Sequence, residues 1–417
     1  MPQPVKAGPE PGYAQRIAFV LELVRRLHLY GTTAQRLEAI IVLVSQRMGL
    51  ECQPWVSPTG IVMNFNDPTM PPGESEITRV IRVPLGEVDL RRLVEADRIA
   101  EDVTCGRMGI ADGHAALQQL DEEPRLPSRA LHVLACALAS GSVAGLLRLP
   151  WLEIATGALV GLVIGLFEEL RRGRPRLAEA SDAIAGIVAG TLAVLVASFI
   201  APINLNTVII ASLIVLLPGM ALTNAVNELT SQHLISGSAR FAGAVTTVMK
   251  LTVGTAIALA VATHLGLEPQ VRAWRPQPEW LEWAALISAG VAFAVLFRAQ
   301  WRDAPVVIAA AMAGYLISRW GGLAWGGVAG VFIAALVVTA AGNAYARWVN
   351  RPGAVVRVPG IILLVPGSTS LRGLMTLVQQ QDAAIGQQAV LAVLNVLLAL
   401  LAGLLFGNLL LPTRRNL

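Results

Sequence analysis

Thr207-Val-Ile-Ile-Ala-Ser-Leu-Ile-Val-Leu-Leu-Pro-Gly-Met220, continuing as Ala221-Leu-Thr-Asn-Ala-Val-Asn227, is apolar enough to enter a bilayer. Yet Pro218 and Gly219 interrupt it, and Thr223 and Asn224 follow. Proline removes a backbone donor and collides with the preceding turn, so a helix must kink or stop here. In hydrocarbon the freed backbone groups persist only where protein or a watery cavity satisfies them. A second copy stands downstream: Val358-Pro-Gly-Ile-Ile-Leu-Leu-Val-Pro-Gly367, then Ser368, Thr369 and Ser370. Interrupted apolar segments at corresponding places in two halves point to a transporter's binding site. The plainer reading is a pair of packing kinks, since Pro and Gly are common in membrane helices.

The composition around these segments fits a membrane protein. The chain has 417 residues, 54% hydrophobic and 14% charged. Soluble domains carry about 25% charged residues. The net charge of +4 is carried mostly by arginine, which points to cytoplasmic loops and not to nucleic acid. Cys52, Cys105 and Cys136 have no spacing of a disulfide framework or zinc motif. No secretory signal pattern opens the sequence. No cofactor motif is found, and no Gly-x4-Gly-Lys-Ser/Thr loop for ATP. No repeated filter sequence suggests a channel.

Residues 1–128 are of different material, charged and without a span. Pro2, Pro4, Pro9 and Pro11 mark a loose tail. Periodicity predicts a helix over Tyr13–Leu29 and a second after Gly31, with Thr32 and Gln35 as a capping box. Strands follow at 52–57, 61–66 and 77–84, then helices at 88–105 and 111–120. This is a small α/β domain. His28, His114, Ser57, Asp67 and Glu38 lie in no nucleophile elbow, metal spacing or phosphate loop.

From residue 129 apolar runs long enough to span recur, at 130–149, 153–170, 182–200, 205–227, 241–265, 280–298, 303–319, 323–342, 355–378 and 386–411. Loop arginines set the orientation. With the N-terminal domain inside, inner loops hold Arg125, Arg129, Arg171, Arg172, Arg174, Arg176, Arg240, Arg298, Arg302, Arg347, Arg351, Arg357, Arg414 and Arg415. Outer loops hold only Arg148, Arg272, Arg275 and Arg319, fourteen against four. The fold class is therefore a polytopic α-helical membrane protein with both termini cytoplasmic. Five spans per half, 129–265 and 280–417 joined by an outer linker at 266–279, make the halves inverted copies whose breaks meet from opposite sides.

Each break should start a half-helix whose free N–H groups favour a carboxylate. Pro218, Gly219, Thr223 and Asn224 form one candidate site, and Pro366, Gly367, Ser368, Thr369 and Ser370 the other. Their hydroxyls can equally cap the new helix. Lys250 lies about 15 Å from the inner end of its span, where an ammonium is expensive unless paired or hydrated; snorkelling is the structural alternative. Arg372 is nearer the outer surface. Asp182, Glu228 and Asp303 read as interfacial charges, leaving no mid-membrane carboxylate for a proton. Gly157, Gly161 and Gly165 read as a packing face.

These residues also carry a family resemblance. Tyr30-Gly-Thr-Thr-Ala-Gln-Arg-Leu-Glu38, Pro58-Thr-Gly-Ile-Val62, Thr78-Arg-Val-Ile-Arg-Val83 and Val88-Asp-Leu-Arg-Arg-Leu93 resemble the N-terminal domain of the threonine/serine exporter family. Leu216-Leu-Pro-Gly-Met-Ala-Leu-Thr-Asn-Ala225 and Pro359-Gly-Ile-Ile-Leu-Leu-Val-Pro-Gly367 resemble its two membrane signatures. The resemblance implies a cytoplasmic domain before ten spans in the cell membrane. It also implies export of threonine and serine driven by the proton-motive force, with small dicarboxylates an alternative cargo. A membrane-anchored enzyme or sensor acting through 1–128 is the reading from another class. Expected partners are a small amino acid and the lipid bilayer, with a homo-oligomer left open.

Overall fold

A computed structural model describes residues 12–71, 75–120, 126–270, 276–365, 367–380 and 383–412. Pro2, Pro4, Pro9, Pro11, Arg125, Arg272, Arg275, Pro366, Arg414 and Arg415 lie outside them. The chain divides into two compact units. One is built from the chain up to Glu123 together with Glu228–Ser236; the other comprises Pro124–Asn227 and Gly237–Arg414.

The first unit runs α1 Tyr13–Leu29, α2 Ala34–Arg47, β1 Glu51–Ser57, β2 Gly60–Asn66, β3 Ile77–Arg82, α3 Leu90–Thr104 and α4 Ile110–Gln119. The strands form an antiparallel meander in the order β1-β2-β3. Alternation along β2 buries Ile61, Met63 and Phe65, as a sheet with one covered face requires. Phe19, Leu23 and Val24 of α1 and Leu37 and Ile41 of α2 supply buried apolar faces. The expected capping box does not form. Thr33, not Thr32, is the N-cap of α2, and it makes no side-chain cap bond. The first N–H of α2, at Ala34, instead donates to Glu228 Oε1 at 2.9 Å. A fully buried carboxylate is a stronger acceptor than a threonine hydroxyl and complements the positive end of the helix.

The second unit is helical: α5 Leu126–Leu146, α6 Trp151–Arg171, α7 Pro175–Phe199, α8 Leu205–Ser212, α9 Gly219–Thr230, whose last residues belong to the first unit, and α10 Leu234–His264. Then follow α11 Glu279–Leu296, α12 Ala304–Trp325, α13 Gly327–Val349, α14 Ala354–Ile362, α15 Gly367–Gln380 and α16 Ala383–Leu410. Among the described residues, nine segments are long and apolar enough to cross a membrane. One of them, Ala354–Thr376, runs across α14 into α15. The expected span 205–227 is two helices, α8 and α9, each shorter than a crossing requires. Several helices outrun their expected limits: α10 begins at Leu234, and α12 runs to Trp325 before a turn at Gly326, whose φ is +93°. An apolar window ends where hydropathy falls, whereas the backbone hydrogen-bond ladder runs on past it. Arg319, expected in an outer loop, is accordingly inside α12 and paired with Glu282.

Small residues let these helices approach closely. A Cβ added at Gly161 would stand 2.8 Å from the Cys136 carbonyl oxygen, and one at Gly165 would stand 3.1 Å from Cys136 Cβ. That glycine face of α6 therefore packs on α5. One core cluster joins α5–α8 and α10 and also receives Leu371 and Met375 of α15. A second, from α13, α14 and α16, has Met220 of α9 packed against it. Each interrupted arm thus packs into the core of the other half.

Candidate functional site

The two interruptions lie against each other. A Cβ placed on Gly367 would be 3.6 Å from Gly219 Cα and 3.1 Å from Leu217 Cβ. A Cβ on Gly219 would collide with Val365 Cγ1. Residues 213–218 form the interruption between α8 and α9, and Gly219 opens α9. In its first turn the Gly219 N–H is taken by the Leu217 carbonyl at 2.8 Å, and the Leu222 N–H by Pro218 at 3.0 Å. The N–H groups of Met220 and Ala221 have no acceptor among the described residues. They are the free donors expected at a helix start.

The polar residues after the breaks divide. Thr223 is buried and donates back to the Gly219 carbonyl at 3.2 Å. This is local helix back-bonding. The half-buried Asn224 and Ser368 side chains have no hydrogen-bond partner among the described residues. Thr369 is exposed and Ser370 half-buried, and both have partners.

Lys250 is not isolated. Its Nζ donates to the Glu179 carbonyl at 3.0 Å and lies 3.9 Å from Asp182 Oδ2. α7 thus supplies both a carbonyl and a countercharge to the ammonium, near the start of that helix. Asp182, read from sequence as an interfacial charge, also lines a narrow, tightly packed cleft. Glu168 and Arg171 of α6, Ser181, and Leu216 of the α8–α9 interruption share that lining. Glu168 accepts from Arg171 Nη2 at 3.2 Å and lies 3.5 Å from His132 Nε2. Two carboxylates, Asp182 and Glu168, therefore share one lining with Leu216 of the first break. Their signal in the sequence was their place one or two turns from a span end, which by itself suggests only an interfacial charge.

The set of long apolar helices defines a multi-pass membrane protein. The chain belongs to the threonine/serine exporter family: one family model for a threonine/serine exporter matches residues 18–262, and a second, "Threonine/Serine exporter, ThrE", matches residues 283–410. Among curated relatives, "Pheromone-regulated membrane protein 10" of Candida glabrata is 23% identical over 399 residues, covering 92% of this chain and 49% of that protein. Its counterpart in Eremothecium gossypii is 22% identical, covering 88% and 50%. A "Probable threonine/serine exporter" of Mycobacterium tuberculosis is 24% identical over 344 residues, covering 80% and 64%. The chain thus spans about half the length of the fungal relatives. No solved structure matches it.

Proposed function

We propose that this chain is a secondary transporter exporting threonine and serine, with the substrate carboxylate held at the N-terminal turn of α9 or α15. The observation that carries this reading is the apposition of Gly219 and Gly367 beside the free N–H groups of Met220 and Ala221. A carboxylate is the part of an amino acid most expensive to take out of water. A helix start offers it hydrogen bonds and positive potential without a mobile countercharge. Asn224 and Ser368 read the ammonium or hydroxyl. The reciprocal packing of Met220 and of Leu371 with Met375 supports two inverted five-span halves, ten crossings in all. Asp182, with Lys250 beside it, offers a protonatable group for coupling to the proton-motive force. Residues 1–128 form a cytoplasmic domain that docks or gates and performs no catalysis.

Counterflow of labelled threonine in proteoliposomes tests the reading. Unlabelled internal threonine or serine should accelerate uptake of the label, and succinate should not. Acceleration by succinate alone would move the assignment to a dicarboxylate exporter.

A further inference from the structure

We propose that His132, Cys136 and Glu168 form a binding site for a zinc-class divalent cation at one end of the α5–α6 pair. His132 and Cys136 are four residues apart on α5 and so share one face. Glu168 of α6 meets that face. The three ligand atoms, imidazole nitrogen, Sγ and carboxylate oxygen, all lie within 4.8 Å of one another. A tetrahedral zinc site with bonds of about 2.0–2.3 Å holds its ligand atoms roughly 3.3–3.8 Å apart. His132 Nε2 and Glu168 Oε2 are already 3.5 Å apart. Small side-chain rotations therefore bring the cluster to bonding geometry.

The donor set selects the cation class. Magnesium and calcium take oxygen ligands. A mixed imidazole, thiolate and carboxylate set suits zinc and its neighbours among the transition metals. Three protein ligands leave a fourth position for water, which makes the site exchangeable. Arg171 holds the other oxygen of Glu168 at 3.2 Å and orients that ligand from outside the coordination sphere. The side chains of His132 and Glu168 are 18% and 17% exposed, so a cation has an approach, whereas Cys136 is fully buried behind them. An ion pair between His132 and Glu168 accounts for those two residues only. It does not explain why the Cys136 thiol converges on the same point. The metal site rests on this chemistry alone and does not depend on the transport assignment.

The test is cobalt titration of the full-length, metal-stripped protein in detergent, with Cys52→Ser and Cys105→Ser removing the other thiols. The expected result is one tightly held Co²⁺ per chain, with a thiolate-to-cobalt charge-transfer band that Zn²⁺ abolishes. Cys136→Ser should lose the band. His132→Gln and Glu168→Gln should weaken binding at least about tenfold, the lower end of what outer-ligand losses alone produce. X-ray absorption of the zinc-loaded protein with Cys136 intact, which needs no variant at the site, should show one sulfur and a remainder of nitrogen and oxygen neighbours. Failure of the folded protein to take up stoichiometric Co²⁺, a band that survives Cys136→Ser, or a zinc spectrum without sulfur would each overturn the site.

Discussion

At Gly219 the missing side chain is what lets two helix ends share one place. A methyl there would run into Val365, a β-branched residue with little rotamer freedom. Gly219→Ala should therefore cost about 1–3 kcal/mol, as overpacking does in tight cores, and should reduce threonine counterflow. Val365→Ala in the same chain should restore much of both. A double-mutant cycle showing simple additivity would mean that the two breaks do not touch. Lys250 makes a second residue-scale case. Its paired Asp182 means that Lys250→Met leaves a carboxylate without its cation, so counterflow should fall in Lys250→Met and in Asp182→Asn alike, with both proteins inserted and folded. Undiminished flux in both would reduce the pair to a structural role. In the first unit, burial pushes the Asp97 carboxyl up to about 7, Arg36 opposing and Glu101 reinforcing the shift. A carboxyl raised above its unfolded value of about 3.9 contributes stability that is present at low pH and is lost as pH rises through the folded value. Thermal unfolding of Asp97→Asn should show a gain over the natural chain that grows from pH 4 to about 7 and is flat above; a gain independent of pH would contradict this.

Among the elements, those of the first unit were legible because their patterns are local. Alternation along 61–66 and the turn at Pro58-Thr-Gly60 place β1 and β2 within a residue of their limits, and the 3.6-residue period places α1 at its actual bounds. The start of α2 was misread because its acceptor comes from 194 residues away in sequence. No window around Thr32 contains Glu228. The Thr32 hydroxyl meant to cap the helix is buried with no acceptor among the described residues. Glu228 binds the connection between α9 and α10 into the first unit, reinforced by Ser236 Oγ at 2.7 Å and by His233, whose Nδ1 lies 3.5 Å from Glu38. Glu228→Ala should cost about 1.5–3 kcal/mol, the range for a hydrogen bond to a charged group. Hydrogen exchange should speed up in the first turn of α2 and leave α3 unchanged. A fragment ending at residue 128 should show the same fast exchange, since it lacks Glu228; slow exchange in either would mean that the carboxylate is incidental. In the second unit the interruptions at Pro218-Gly219 and Gly367 were visible as breaks in apolar runs. The pairing of Lys250 with Asp182 and the meeting of His132, Cys136 and Glu168 were not, because a period places a residue on a face without naming the helix it faces.

For the whole molecule the question is how many times the chain crosses. Among the described residues, nine segments are long and apolar enough to cross. The pair α8 and α9 decides whether there is a tenth, since together they run from residue 205 to 230 with an interruption of six residues. With ten crossings the ends of the second unit lie on one side, and the fourteen arginines expected inside all stay there. With nine, everything after the pair is inverted, and the arginines from Arg240 onward move to the outer face, against the bias that orients such chains. Cysteine labelling separates the two. In a Cys52→Ser, Cys105→Ser background, exposed positions are probed singly with an impermeant thiol reagent on intact cells: Arg174→Cys before the pair, Glu268→Cys after it and Pro412→Cys at the end. Ten crossings predict labelling at 268 alone. Nine predict that 412 labels and 268 does not, with 174 protected in both. Cys105, exposed in the first unit, provides an internal control in the natural chain, because a cytoplasmic domain must leave it unlabelled until the membrane is opened. If 412 and 268 exchange their expected behaviour, α8 and α9 form a re-entrant hairpin. The two helix starts would then meet without the inverted symmetry, and the carboxylate site would have to be rebuilt on one break alone.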